Sequence, residues 1–311
     1  MSTLRVALEE YLEARRALGY KLRLAGSLLE RFVDFADEQG ATVITTKLAM
    51  QWATLPQHVQ PAQWANRLGM VRGFARYRQA ADPLTEVPAP QLLTGRFRRT
   101  TPHIYSEDEL KRLIHAASNL SSVAGLRSCT YATLFGLFAV TGMRTNEPLR
   151  LDDENVDLEN GVLTVHGAKF GKSRYVPLHD STKRALRHYA TQRDRLCTRR
   201  QCPSFFVSET GVRITEWSLR RTFVELSQQI GLRNWADSRG PRLMDFRHRF
   251  AVNTLIQWYR DDVDVQRHLP ELSTYLGHTH ITDTYWYLTA VPELMHLASQ
   301  RLERAVQGDQ S

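Results

Sequence analysis

The segment LGHTHITDTYWYLTAVPEL, residues 276–294, carries two tyrosines, and His278 lies nine residues before the second of them; these groups could take part in covalent chemistry. A phenol that gives up its proton is a nucleophile; one that keeps it is a packing aromatic. Tyr285 and Tyr287 lie two residues apart. Each helical residue turns by about 100°, so their side chains point about 200° apart and cannot both face one site. Three other stretches hold reactive or charged groups. In TGMRTNEPLRL (141–151), Arg144 and Glu147 are spaced to share a helix face, and alone they read as an ion pair. In KFGKSRYVPL (169–178), Lys169 falls near a hairpin tip, with Lys172 close behind, and alone it reads as solvated charge. In LMDFRHRFAVNTLI (243–256), Arg247 and His248 head an apolar helix, which alone says little.

Taken together, the order and spacing are specific. Arg-x-x-Glu, a hairpin lysine, DFRHRFA, and LGH followed by a tyrosine nine residues after its histidine resemble the tyrosine recombinase (phage integrase) family. The catalytic resemblance runs over residues 105–295. SFFVSETGVRIT (204–215) is similar to the segment these enzymes carry between the hairpin and the second arginine. The resemblance implies roles that suit the chemistry. A phosphodiester concentrates negative charge as it becomes pentavalent, and two guanidiniums can grip its oxygens in a bidentate way that lysines cannot copy. Arg144 and Arg247 match that clamp, which would act mainly in the transition state. Glu147 would orient Arg144 or a neighbouring catalytic group. Lys169 would protonate the departing 5′ oxygen, with Lys172 as the alternative in a slipped register. His278 would hydrogen-bond the scissile phosphate. Tyr287 matches the nucleophile, which leaves Tyr285 and Trp286 as packing aromatics. Attack would give a 3′-phosphotyrosine and a free 5′ hydroxyl, with neither a nucleotide cofactor nor a metal required.

One position departs from the family pattern. Where the family shows a histidine three residues before the second arginine, this chain has Met244. A thioether cannot transfer a proton and accepts hydrogen bonds poorly. His248, four residues on, shares the face of Met244 if the helix already includes both. The expectation is a slowed enzyme, or one that depends on a partner recombinase.

These groups need elements to hold them. A chain of 311 residues suggests two domains. Residues 3–18 place Leu4, Leu8, Tyr11, Leu12 and Leu18 on one helical stripe, and Gly19 is a plausible stop. Further helices read through 27–39, 47–54 and 61–80, the last with Trp64, Leu68, Val71, Phe74 and Tyr77 facing inward. Residues 1–81 are expected to form a helical domain, similar in composition and helix count to the family's core-binding domain. Arg67, Arg72, Arg76 and Arg78 crowd the fourth helix, as a solvated face or as phosphate contacts. A proline-rich linker spans 82–104, and its RFRR run (Arg96, Arg98, Arg99) either adds solubility or tracks a DNA backbone. The catalytic domain covers 105–311. It opens on a capping-box pattern, Ser106 with Glu109, and continues through an apolar helix at 127–142. Asn160-Gly161 signals a hairpin within a small antiparallel sheet of about three strands, after which helices resume. The expected fold class is mainly α with a small antiparallel β-sheet: a helical core-binding domain and an α+β catalytic domain.

The formal charge of +8 suits a polyanionic partner, as it suits many enzymes of small molecules. Cys129, Cys197 and Cys202 make no disulfide framework and no zinc ligand set, which points to a reducing cytoplasm. No apolar run approaches the ~18 residues of a membrane span. The resemblance implies double-stranded DNA as substrate. It also implies a homotetramer on that DNA, possible company from other recombinases, and a mobile-element integrase or transposase. The amphipathic stretch VPELMHLASQRLERAV either packs on its own domain or docks on a neighbouring protomer. Two other readings keep the fold: an architectural DNA-binding subunit impaired by Met244, and a type IB topoisomerase.

Overall fold

The structure, a computed structural model, describes residues 3–95, 101–123, 125–167, 173–237, 239–288 and 291–308. The chain divides into two compact units, Met1–Thr100 and Thr101–Ser311.

The first unit is built from four helices: α1 (Thr3–Ala17), α2 (Arg23–Glu38), α3 (Thr46–Thr54) and α4 (Pro61–Gln79). Leu4, Leu8 and Leu12 of α1 pack with Leu29, Phe32 and Val33 of α2, Trp52 of α3, and Leu68, Val71 and Phe74 of α4. Thr45 caps α3 by accepting from the Leu48 N–H, and Pro61 opens α4 where its missing N–H costs nothing. Two expectations need correcting. Leu18 does not belong to the α1 stripe; the helix has ended at Ala17 and Leu18 is 71% exposed. Tyr77 is likewise exposed on α4 rather than turned into the core. Residues 82–95, within the expected linker, lie against this unit. Val87 and Leu93 pack on its core, and the Glu86 carboxylate accepts the Thr46 N–H at 2.6 Å. Arg96, Arg98 and Arg99 fall outside the described residues.

The second unit opens on α5 (Glu107–Ser118), whose reciprocal Ser106–Glu109 capping box is present. Next come α6 (Leu126–Thr141) and the short α7 (Asn146–Leu149). Then follow strands β1 (Val156–Asp157), β2 (Val162–Val165) and β3 (Arg174–Pro177), which form an antiparallel sheet in that order. Asp157 pairs with Val162, so the hairpin turn spans 158–161 and closes on Gly161 at φ 73°. Helices α8 (Asp180–Leu196), α9 (Glu216–Gln229), α10 (Met244–Arg260), α11 (Val265–Leu276), α12 (Thr282–Leu288) and α13 (Pro292–Gly308) complete it.

Phe246, near the start of α10, sits at the centre of an aromatic cluster with Tyr105, Phe135, Phe138 and Phe223. That packing fixes the rotation of α10 about its axis, and with it the direction of Arg247. A second apolar cluster joins α10, α11, α12 and α13 through Val252, Leu255, Leu272, Leu276, Tyr287 and Leu294. The mainly helical architecture with one small sheet is the one expected from the sequence.

Candidate active site

Two helix ends meet in the second unit, and three arginines bind their carbonyls. Helix α6 stops at Gly142, in the left-handed region at φ 58°, and α11 stops at Gly277, at φ 67°. Both are αL caps of the kind glycine supplies without a steric penalty. Helix C-termini carry unsatisfied carbonyls and partial negative charge, so they favour cations. Arg247 donates from Nη1 to the Gly142 carbonyl at 3.0 Å and from Nη2 to the Leu276 carbonyl at 2.5 Å. Arg144 donates from Nη2 to the Gly277 carbonyl at 2.7 Å. Arg174 donates from Nε to the Tyr275 carbonyl at 2.7 Å.

Glu147 is the carboxylate among these cations. It accepts the Arg144 N–H at 2.8 Å and Arg144 Nη1 at 3.1 Å. Both of its oxygens also receive the fork of Arg174, at 2.9 and 2.7 Å. Burial works against its charge, but the Arg174 fork and then the Arg144 contacts outweigh it, leaving the pKa below the ordinary carboxylate value. Arg247 is only 2% exposed. Burial lowers its pKa to about 10, opposed by Tyr287 and aided by the charge of Arg144, so it stays protonated at neutral pH. Three guanidiniums against one carboxylate leave a local surplus of positive charge, the arrangement an anionic phosphodiester needs.

The expected nucleophile lies beside them. Tyr287 on α12 is 3% exposed, whereas Tyr285 is 47% exposed. The helix therefore separates the two tyrosines as its geometry requires, although Tyr285 faces outward instead of packing. The Tyr287 ring stacks near His278, centroids 6.1 Å apart, and tilts against His248 at 5.6 Å. Trp286 packs on the His248 ring at 5.0 Å. His278 Nδ1 lies 2.7 Å from the hydroxyl of Thr284, which is fully buried. Burial, then the charges of Arg247 and Arg144, push the His278 imidazole down to about 4, so it is neutral at pH 7.

Met244 is the first residue of α10 and is 37% exposed. It lines a cleft of about 290 Å³ together with Arg144, Glu147, His166 and Arg220. Met244 and His248 both belong to α10, yet Met244 opens to this cleft and His248 turns to Tyr287. Asp245, buried between them in sequence, accepts from the Arg242 backbone and guanidinium and lies 4.0 Å from His248 Nε2. Lys169 and Lys172 lie outside the described residues. Among the described residues no group of His, Cys, Asp or Glu is arranged to hold a metal ion.

The structure thus gathers Arg144, Glu147, Arg247, His278 and Tyr287 from five separate elements or loops. It adds Arg174 and Thr284, which the sequence reading passed over. A charged residue in the inward register of a strand was the available signal for Arg174; Thr284, at a one-turn spacing before the nucleophile's helix end, gave none. In the first unit, Arg67 stacks on Trp52 at 3.8 Å and donates to its carbonyl at 2.8 Å. Arg72 donates to the Pro88 and Ala89 carbonyls at 2.7 and 2.8 Å. Arg76 is exposed.

The mainly helical second unit thus gathers Arg144, Arg247, His278 and a buried Tyr287. Residues 104–293 match the family model described as the phage integrase family, and the chain belongs to that family. It is therefore a tyrosine recombinase, a DNA-breaking and rejoining enzyme of site-specific recombination. It is 49% identical over 308 residues to the integrase/recombinase y4rB of Sinorhizobium fredii, covering 98% of both chains. It is 29% identical to the tyrosine recombinase XerD of Caulobacter vibrioides, over 80% of this chain and 75% of that one. Among solved structures, the Tn1549 transposon integrase in complex with transposon right end DNA has the same fold, with a TM-score of 0.70. It is 14% identical and covers 98% of this chain and 99% of that one.

Proposed function

We propose that the chain joins two duplex DNA sites through a covalent 3′-phosphotyrosine at Tyr287, as the integrase or transposase of a mobile element. The observation that carries this reading is the convergence of Arg144, Arg247 and His278 on a buried Tyr287. In the cleavage step the Tyr287 oxygen attacks phosphorus, and the bond from phosphorus to the 5′ oxygen breaks. The tyrosine proton passes to a neighbouring base, for which His248 is the side chain at hand. The departing oxygen takes a proton from Lys169, or from Lys172 in a shifted register, and leaves as a hydroxyl. Arg144 and Arg247 hold the non-bridging oxygens as charge builds, and His278 donates a further hydrogen bond. The bond energy stays in the phosphotyrosine until a second 5′ hydroxyl reverses the step.

On this reading residues 1–81 bind the DNA core site and 105–311 carry the catalysis. Arg76 offers its guanidinium to backbone phosphate, with Arg96, Arg98 and Arg99 on the connecting segment. Arg67 ties α4 to Trp52 of α3, and Arg72 ties it to the carbonyls of Pro88 and Ala89. The active assembly is a homotetramer on DNA, working in the cytoplasm where that DNA is. The test is covalent trapping on nicked duplexes made from the DNA flanking the gene. Wild type should give a protease-sensitive adduct on a denaturing gel, and Tyr287→Phe none. Binding without any adduct would favour an architectural subunit, the reading that Met244 in the cleft supports. Sedimentation of the protein with its DNA tests the tetramer.

A further inference from the structure

Arg174 stands on β3, the strand that closes the hairpin expected to carry Lys169, and its side chain is nearly buried. All three of its nitrogens are engaged: Nη1 and Nη2 on the two Glu147 oxygens, Nε on the Tyr275 carbonyl. Glu147 also touches the clamp, through the Arg144 backbone N–H and through Nη1. Of these contacts the Arg144 Nη1 bond is the longest, at 3.1 Å, against 2.7–2.9 Å for the Arg174 fork. The carboxylate is therefore claimed first by Arg174. The Arg144 guanidinium is left with one longer tie to Glu147 and a firm one to the Gly277 carbonyl.

Without Arg174, Arg144 would be the one described guanidinium still donating to the buried carboxylate. The bidentate Arg–carboxylate pair is the strong geometry, so Arg144 would close on Glu147 and turn away from a phosphate. We propose that Arg174 is a positioning residue for strand cleavage. By saturating Glu147 and fixing it to the end of α11, it keeps Arg144 directed at the scissile phosphate. This role rests on the phosphotyrosine reading above. It differs from a second conceivable role on the same strand, that of holding the hairpin so that Lys169 reaches the leaving oxygen.

A substrate with sulfur in place of the bridging 5′ oxygen separates the two roles. When the phosphorus–sulfur bond breaks, the thiolate leaves without needing a proton, so a defect in leaving-group protonation disappears. A defect in the clamp remains, because the non-bridging oxygens are unchanged. The whole chain is assayed by single-turnover adduct formation on matched oxygen and sulfur duplexes from the gene's flanking DNA. Arg174→Met should cut cleavage by about 100-fold on both duplexes, the loss expected when a reacting group is misplaced by about 1 Å. Arg174→Lys, a point charge without a fork, should recover part of that rate. Because Arg174→Met leaves a buried carboxylate short of partners, it risks misfolding. The double variant Arg174→Met/Glu147→Met replaces the pair with apolar groups that a buried site tolerates. It should fold, bind DNA in native gels, and cleave both duplexes faster than Arg174→Met, since no carboxylate is left to draw Arg144 from the Gly277 carbonyl. Recovery of Arg174→Met on the sulfur duplex would assign Arg174 to the hairpin and overturn the proposal. An unchanged rate in Arg174→Met, or a folded double variant no faster than Arg174→Met, would overturn it too. A wild-type protein that forms no Tyr287 adduct on either duplex removes the phosphotyrosine reading itself, and this role with it.

Discussion

The ring of His278 stacks on the ring of Tyr287 at 6.1 Å with an interplanar angle of 17°, which leaves Tyr285, on the same short helix, facing outward. A 200° separation on a helix has thus become a division between a buried phenol in the site and an exposed one outside it. Tyr285→Phe should cleave trapped duplexes at the parental rate, and Tyr287→Phe should bind them without forming an adduct. Because the phenyl ring still fills the site, Tyr287→Phe should unfold within about 1 kcal/mol of the parent. An adduct that persists in Tyr287→Phe and vanishes in Tyr285→Phe would reverse the assignment.

The partner of His278 fixes how it can act. With its pKa near 4, the imidazole is neutral at pH 7 and carries a single N–H. Thr284, 2.7 Å from Nδ1, can donate its hydroxyl proton there and leave the N–H on Nε2, free to face a phosphate. Thr284→Val removes that donor and should slow cleavage about tenfold, the worth of one hydrogen bond. Thr284→Ser should restore the rate. The pH dependence follows from the direction of the shift. The native state holds the His278 pKa below its ordinary value of 6.5, so the unfolded chain binds this proton more readily. The contribution to stability is complete above pH 6.5, declines as pH falls towards 4, and is level below that. NMR of the His278 ring should give a midpoint near 4 in the free protein. A midpoint near 6.5 would show that burial and the two arginines do not govern it.

The two cap glycines differ in what surrounds them. A Cβ on Gly142 would come within 2.7 Å of the Phe250 ring, in a backbone conformation that already disfavours side chains. Gly142→Ala should therefore lower stability by about 2 kcal/mol or more in chemical denaturation, and loosen the carbonyl that holds Arg247. A Cβ on Gly277 would meet only side chains, those of Arg174 and Arg144 at 3.3–3.4 Å. Gly277→Ala should cost about 1–2 kcal/mol from backbone conformation alone. Its larger effect should be on cleavage, because the groups that must yield belong to the clamp. Equal stabilities for Gly142→Ala and the parent would refute the crowding at Phe250.

Much of this molecule was legible because its signals are local. The Ser106–Glu109 capping box and the apolar helix expected at 127–142 each depend on neighbours a few residues away. They survive as expected. Leu18 was misread for the same reason: the stripe runs on to the residue before Gly19, but the helix ends at Ala17 and Leu18 falls in the turn that follows. The strand register marks Arg174 as inward-facing, but its role was hidden because its partners are Glu147, 27 residues earlier, and the Tyr275 carbonyl, 101 residues later. No window of sequence spans that distance. The carbonyls holding Arg144 and Arg247 are hidden in the same way: a helix end is a backbone feature, and which side chain comes to rest on it depends on packing between α6, α10 and α11. Phe246 fixes that packing, and its significance emerges only from the four rings around it.

Met244 is the position where a single substitution should improve the enzyme. It occupies the first turn of α10, three residues before Arg247, and opens onto the cleft shared with Arg144 and Glu147. The methionine offers that cleft a thioether that neither donates nor carries a proton. Met244→His would put an imidazole beside the clamp, where it could hydrogen-bond the phosphate or exchange a proton with the Tyr287–phosphate pair. General acid–base groups contribute about 10² to 10⁴ in rate, and even a poorly placed one should raise single-turnover cleavage about tenfold. The gain should be larger in a His248→Asn background, because His248, 5.6 Å from the Tyr287 ring, is the base at hand in the parent. His248→Asn alone should slow cleavage, and Met244→His should recover most of that loss. If Met244→His leaves the rate unchanged or lowers it in both backgrounds, the cleft at Met244 has no part in proton transfer, and the methionine serves only to fill the start of α10.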